Sequence, residues 1–300
     1  MYLSILILPF LGSIISGFLG RKVGITGSQI ISCGCLFLSA LLSSFALYEV
    51  GFCDSPVIIQ LGNWIDSEIM IVSWEFLFDQ VAVVFCIMIT YITFLILVYT
   101  IYYMDGSPHI QRFFSYLSAF AGFMLVLVTG GNYFVMFCGW EGIGIISYLL
   151  ISYYFTRIQA TKAALLALTM NRGGDMLLSI GFFALFAIYG SLDYSTIFSI
   201  SPYINENAIT IISLLLFGGA MAKSAQLPLH TWLPGSMEAR HIYIFLILIY
   251  LLIFIFDAIN IEGFSNVLLF FLQYLFLTKL ETVKGDLEHL MMKKKKITFN

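Results

Sequence analysis

Apolar stretches long enough to cross a bilayer follow one another almost without pause, near residues 2–20, 29–50, 80–103, 113–129, 133–153, 163–190, 208–230 and 241–256, with a shorter ninth near 264–278. A hydrocarbon core is spanned by about 20 apolar residues of α-helix, and its lack of water leaves only helices or closed barrels able to satisfy the backbone. Hydrophobic residues make up 60% of the chain and charged ones only 10%, against about 25% charged in soluble domains, so no water-soluble surface can be made. The expected fold is all-α, a polytopic transmembrane bundle of about eight to nine helices. The opening MYLSILILPFLGSIISGFLG carries its basic residues, Arg21 and Lys22, after the apolar run, whereas a cleaved signal has them before it. It is expected to be a retained first helix.

One segment breaks the pattern. CDSPVIIQLGNWIDSEIMIVSWEFLFDQ is apolar but interrupted, with alternating stretches and several acids, and is expected at the membrane surface as a hairpin. If the crossings alternate, the loops on one side hold Arg21, Lys22, Arg112, Arg157, Lys162, Arg172 and Arg240, while the other side holds Glu49, Asp54, Asp66, Glu68, Glu75, Asp79, Asp193 and Glu206. The positive-inside rule makes the first side cytoplasmic, or the matrix in a mitochondrion, and puts the N-terminus on the opposite side.

Against this apolar background a few ionisable residues stand inside the spans. Glu141 sits in GNYFVMFCGWEGIGIISYLLISYY and Lys223 in ITIISLLLFGGAMAKSAQLPLHTWLP. Charges at that depth cost several kcal/mol unless paired or neutralised, so these two are natural partners, either as a proton-exchanging pair or as a static bridge between helices. On straight helices Lys223 lies nearer the basic side than Glu141, which a break at Gly218, Gly219 or Pro228 would correct. Arg172 and Asp175 in TMNRGGDMLLS share a helical face, as an interfacial salt bridge or as links in a charge chain. His230 is a candidate proton relay or a hydrogen-bonded helix-end residue, and Lys162 a loop charge or one reaching inward. Trp140 and Trp232 fit interfacial belts and packing and receive no chemical role. The cysteines Cys33, Cys35, Cys53, Cys86 and Cys138 lack C-x-x-C spacing, so no metal site is expected. GWEGIG lies in an apolar helix and fails the context test for a phosphate-binding loop.

MYLSILILPFLGSIISGFLGRKVG, HIQRFFSYLSAFAGFMLVLVTGGNYFVMFCGWEGIGIISYLLISYYFTR, NRGGDM and AKSAQLPLHTWLP together resemble the chain 5 family of respiratory NADH:ubiquinone oxidoreductase (complex I), antiporter-like subunits encoded in mitochondria, in a fungal or plant version. The resemblance implies a proton-translocating subunit with a broken seventh helix. Glu141 and Lys223 would form the charged centre of a half-channel, and Arg172 and Asp175 would belong to the same network. It implies a multi-pass place in the mitochondrial inner membrane, with the N-terminus on the intermembrane-space side, among other membrane-arm subunits. It also implies no cofactor in this chain: NAD, FMN, iron-sulfur clusters and ubiquinone are expected in partner subunits. No nucleic acid and no soluble small-molecule substrate is expected to bind directly.

The resemblance covers residues 1–239. Within it Gly131 stands where VTGDN is usual, Gly173 replaces an apolar residue and WLPGSMEA replaces WLPDAMEG. Beyond Ala239 the continuation Gly-Pro-Thr-Pro-Val-Ser-Ala-Leu-Ile-His is missing, and with it a second inverted repeat. The expected division is therefore an antiporter-like region, 1–239, and a divergent tail, 240–300, with one or two hydrophobic segments. The Ile, Phe, Lys and Asn bias of that tail suggests intron-derived or fragmented coding sequence and a truncated form. A cation/proton antiporter subunit and a non-transporting fragment are the alternatives.

Overall fold

A computed structural model describes residues 1–68 and 70–236. The two expected crossings beyond residue 240 and the proposed division at 239 lie outside the described residues. The elements are α1 (Tyr2–Phe18), α2 (Gly20–Ala46), β1 (Val57–Asp66), β2 (Ile71–Phe78), α3 (Gln80–Tyr103), α4 (Ile110–Thr129), α5 (Tyr133–Ile151), α6 (Ile158–Tyr189), α7 (Tyr194–Ile200), α8 (Glu206–Lys223) and α9 (Trp232–Ser236). Helices α2 through α6 and α8 are long and apolar enough to span a membrane. With its 17 residues, α1 rises about 25 Å and sits at the short end of the range for a crossing. The expected first seven crossings are therefore all helices.

The interrupted segment is an antiparallel hairpin, β1 against β2, with Gln60 opposite Glu75 and irregular register near Gly62 and Ile65. Trp64 and Trp74 stack at 4.7 Å between ring centroids, and Trp64 meets the edge of Phe134 at 5.2 Å. The hairpin thereby rests on the start of α5. Asn132 makes the join specific: its side chain accepts from the Val135 amide at 2.9 Å, capping α5, and donates to the Ser73 carbonyl at 2.8 Å. The preceding Gly131 donates its amide to Glu75 O at 2.9 Å, and a Cβ there would lie 2.9 Å from Glu75 Cγ.

Helix α4 is central, packed by α1, α2, α3 and α5, with Phe113, Phe114, Leu117, Phe120 and Met124 buried along it. Glycines set the tightest approaches. A Cβ on Gly139 would come within 2.6 Å of the α4 backbone at Leu127, and one on Gly142 within 2.2 Å of the Phe123 ring. Helices α6 and α8 meet in the same way, since a Cβ on Gly174 would lie 2.1 Å from Ala222 Cβ and one on Gly219 2.7 Å from Leu178 Cβ.

The two ends of the bundle differ in charge, as the sorting of loops requires. At one end Gln111 donates to Gly20 O at 3.1 Å, and Arg112 lies over the rings of Tyr153 and Phe155 at 5.6 and 5.8 Å. These contacts gather the connections that carry Arg21, Lys22, Arg112 and Arg157. At the other end Tyr2 donates to Glu49 at 2.7 Å, Gln80 to Asp54 at 2.9 Å, and Asn132 bridges to Asp193. Arg172 is the exception: the sorting put it in a basic-side loop, but it stands well inside α6, where its charge must be met by neighbouring helices.

Candidate functional site

Helices α5, α6 and α8 bring Trp140, Glu141, Arg172, Asp175 and Lys223 together. On α5 the consecutive Trp140 and Glu141 point to different positions of α6. The Trp140 indole N–H donates to Asp175 Oδ1 at 2.6 Å, and Glu141 is held by the Arg172 guanidinium through Nη1 and Oε1. Two side-by-side bridges thus tie α5 to one turn of α6. They differ in environment, because Trp140 is 1% and Asp175 6% exposed whereas the Arg172 side chain is 59% exposed and that of Glu141 25%. A cavity of about 590 Å³ opens on the outer bridge, lined by Glu141, Arg172 and Asp175 among Phe134, Phe137 and Phe182.

Lys223 completes the inner bridge. It is 5% exposed and its ammonium donates to the Trp140 carbonyl at 3.3 Å, lying 5.5 Å from the centroid of the same residue's ring. A lysine side chain leans toward the N-terminus of its helix, which carries the ammonium away from the end of α8 and up to Trp140. Gly144 leaves room for it, since a Cβ there would sit 2.9 Å from Nζ.

The geometry corrects two expectations. Lys223 and Glu141 do not form an ion pair: among the described residues the salt bridge of Glu141 is with Arg172. Nor does the break in the seventh span fall at the glycines; of the three expected positions only Pro228 lies in the interrupted stretch, between the end of α8 at Lys223 and the start of α9 at Trp232. Gly218 and Gly219 are helical and pack against Leu177 and Leu178, and the interruption follows Lys223 itself. There Ala225 adopts φ 53° and the chain turns back so that the Trp232 indole caps the Ala222 carbonyl at 2.9 Å.

The remaining candidates lie apart. His230, in the turn after α8, is partly buried, and its Nδ1 has no hydrogen-bond partner among the described residues. Lys162 is exposed in the second turn of α6, about 20 Å along the helix from Asp175 at 1.5 Å per residue, and does not join the cluster. Two residues to which the sequence gave no chemistry do join it. Trp140, expected in a belt or in packing, stands in mid-span between two charges, and Asn171, 5% exposed, places an unpartnered side-chain oxygen one turn from Asp175. A tryptophan far from both ends of its helix is a departure from the interfacial preference of that residue, and that departure was the available signal. No group of three or more His, Cys, Asp or Glu residues placed to hold a metal occurs among the described residues.

Fold and site define a multi-pass membrane protein with an ionisable cluster held between three of its helices. The chain belongs to the family of NADH:quinone oxidoreductase and Mrp antiporter transmembrane subunits, whose model matches residues 130–280, and residues 64–114 match the N-terminal region of complex I chain 5. It is 60% identical over 238 residues to NADH-ubiquinone oxidoreductase chain 5 of Cryptococcus neoformans var. grubii, covering 79% of this chain and 36% of that protein. The chain 5 protein of Mycosarcoma maydis is 60% identical over 239 residues, with the same coverages of 79% and 36%. The chain thus spans a little over a third of the length of these relatives. In fold it is similar to a chain of the archaeal membrane-bound sulfane sulfur reductase, with a TM-score of 0.74 at 18% identity over 88% of this chain and 54% of that one. A chain of the Mrp complex from Dietzia sp. DQ12-45-1b gives a TM-score of 0.67 at 22% identity over 85% of this chain and 26% of that one.

Proposed function

We propose that this chain is a proton-translocating membrane subunit of a respiratory NADH:ubiquinone oxidoreductase of the complex I type, in the mitochondrial inner membrane. The observation that carries the proposal is the burial of Lys223 on the Trp140 carbonyl beside an equally buried Asp175. A buried ammonium needs a counter-charge and hydrogen bonds to be tolerated, and intramembrane ionisable groups mark ion paths. Lys223 takes up a proton while Asp175 balances it and releases that proton when the balance is disturbed. Asn171 and His230, each with a buried atom lacking a protein partner among the described residues, are suited to bind the water that a proton path requires. The basic end faces the matrix and the N-terminus, which lies at the acidic end, the intermembrane space.

The chain holds no redox centre in this reading. NAD, FMN, iron-sulfur clusters and ubiquinone belong to partner subunits, and other membrane-arm subunits and lipid cover the exposed faces of α6 and α8. A second reading, a cation/proton antiporter subunit, is favoured by the Mrp half of the family description and by the Mrp structural neighbour. Vesicles of the inner membrane containing the assembled complex distinguish the two. NADH oxidation should acidify the space on the acidic side at a rate indifferent to sodium. Proton exchange driven by a sodium gradient without NADH would overturn the first reading in favour of the second.

A further inference from the structure

We propose that Trp232 is a positioning residue for Lys223: its indole N–H, arriving from beyond the break in the seventh span, keeps the last turn of α8 wound so that the lysine ammonium reaches the Trp140 carbonyl. The inference rests on the proton-translocating reading. The last carbonyls of a helix have no partner within it, and in an apolar surround each must find another donor. Two of those in α8 are met from close by. Ala220 O accepts from the Ser224 amide at 2.9 Å and from its hydroxyl at 2.7 Å, and Met221 O accepts from the Gln226 amide at 3.0 Å. Ala222 O is met differently. The Ala225 amide approaches it only at 3.3 Å, and its shorter bond, at 2.9 Å, comes from the Trp232 indole ten residues on.

The Ala222 carbonyl and the Lys223 amide belong to one planar peptide group, so a bond to that oxygen also fixes where the Lys223 side chain is rooted. Ala222 is backed on another side by α6, where a Cβ on Gly174 would lie 2.1 Å from its own Cβ. Trp232 is 4% exposed, and α9, which carries it, packs against α6 with Gly235 beside Ala163. The far end of Lys223 has little tolerance. Its bond to the Trp140 carbonyl is 3.3 Å, already long for N–H···O, and a displacement of about 1 Å at the root would break it. Two substitutions separate the indole ring from its N–H. Trp232→Phe keeps an aromatic ring but has no donor. Trp232→His loses the benzo ring, yet its Nε2–H takes the place in the five-membered ring that the indole N–H holds.

The test uses the assembled complex in inner-membrane vesicles carrying Trp232→Phe, Trp232→His or Lys223→Met, at about pH 8, where an ordinary histidine is neutral. Protons moved per NADH oxidised and the amount of assembled complex are measured separately. Trp232→Phe should lose about half or more of the pumping that Lys223→Met removes, since loss of one hydrogen bond shifts an equilibrium about two- to tenfold. Trp232→His should keep protons per NADH close to the wild-type value even where less complex assembles. A role in packing alone predicts less complex in both variants, least in Trp232→His, with protons per NADH unchanged. Unchanged protons per NADH in Trp232→Phe, or a Trp232→His that pumps no better than Trp232→Phe, overturns the assignment. Should Trp232→Phe leave too little complex to assay, Trp232→His decides: wild-type protons per NADH support the positioning role, and any smaller value overturns it. Full pumping in Lys223→Met would instead overturn the proton-translocating reading, so the two failures are told apart.

Discussion

Helices α1 to α4 and the group α5, α6 and α8 solve the same problem, burying polar groups in an apolar surround, with different chemistry. In the first region the buried polar residues are hydroxyls. Ser16, Ser32, Thr90, Thr93, Ser118 and Thr129 return their hydrogen bonds to carbonyls one turn back in their own helices, and Ser43 also meets Thr90 across the α2–α3 contact at 3.0 Å. Hydroxyls satisfied in this way let small residues pack closely. In the second region the buried groups include an acid and a base, Asp175 and Lys223, that bond to a residue of a third helix, so that α5, α6 and α8 are tied to one another. Hydroxyl burial makes a scaffold; charge burial makes an assembly whose energy changes when a proton arrives.

The largest expected effect that sharpens this contrast comes from Lys223→Met, which should abolish NADH-driven proton movement attributable to this subunit while the complex still assembles. A scaffold role predicts full pumping, measured as protons per NADH. Next come two glycines of the same helix. Gly142→Ala, against the Phe123 ring, should destabilise the α4–α5 contact by about 1–3 kcal/mol, as overpacking does, and appear as reduced assembly. Gly144→Ala meets only the flexible end of Lys223 and should spare assembly while slowing proton movement. Equal effects on both readouts would erase the distinction between packing and site. Ser43→Ala should cost no more than about 1 kcal/mol, because Thr90 keeps its bond to the Cys86 carbonyl, and should leave pumping unchanged.

The smallest effect concerns Asp193, at the acidic end outside the spans. Its carboxyl is pushed above the ordinary range, first by burial and then by nearby Glu75. A raised folded-state value favours the protonated form, so this residue's contribution to stability is full below the unfolded value of about 3.9 and is lost as pH rises through the folded one. Asp193→Asn should flatten that part of the pH dependence and raise neutral-pH stability by less than about 1 kcal/mol, since solvent screens a partly exposed group. Thermal denaturation of the assembled complex across pH reads it; a steeper acid dependence in the variant would contradict the assigned repulsion.

Helix positions were legible because the apolar run length is dictated by the bilayer, and the surface hairpin because its alternation interrupts that run. The charge segregation at the ends followed from the same count. Pairing was less legible. Spacing puts Arg172 and Asp175 on one helical face, but not which of them meets Glu141, because that depends on how α5 and α6 are rotated about their axes. The glycines now seen to govern those rotations were open to several readings, and Gly218 and Gly219 served close packing where a break was expected. Trp140 was passed over because tryptophan in membrane sequences usually marks an interface.

A map of the assembled complex at side-chain resolution tests the sorting of the charges most directly. The account predicts the Lys223 ammonium on the Trp140 carbonyl, the indole N–H on Asp175 and the Arg172 guanidinium on Glu141. A Lys223 paired with Glu141, with Arg172 turned out toward acyl chains and Asp175 away from the indole, would contradict it.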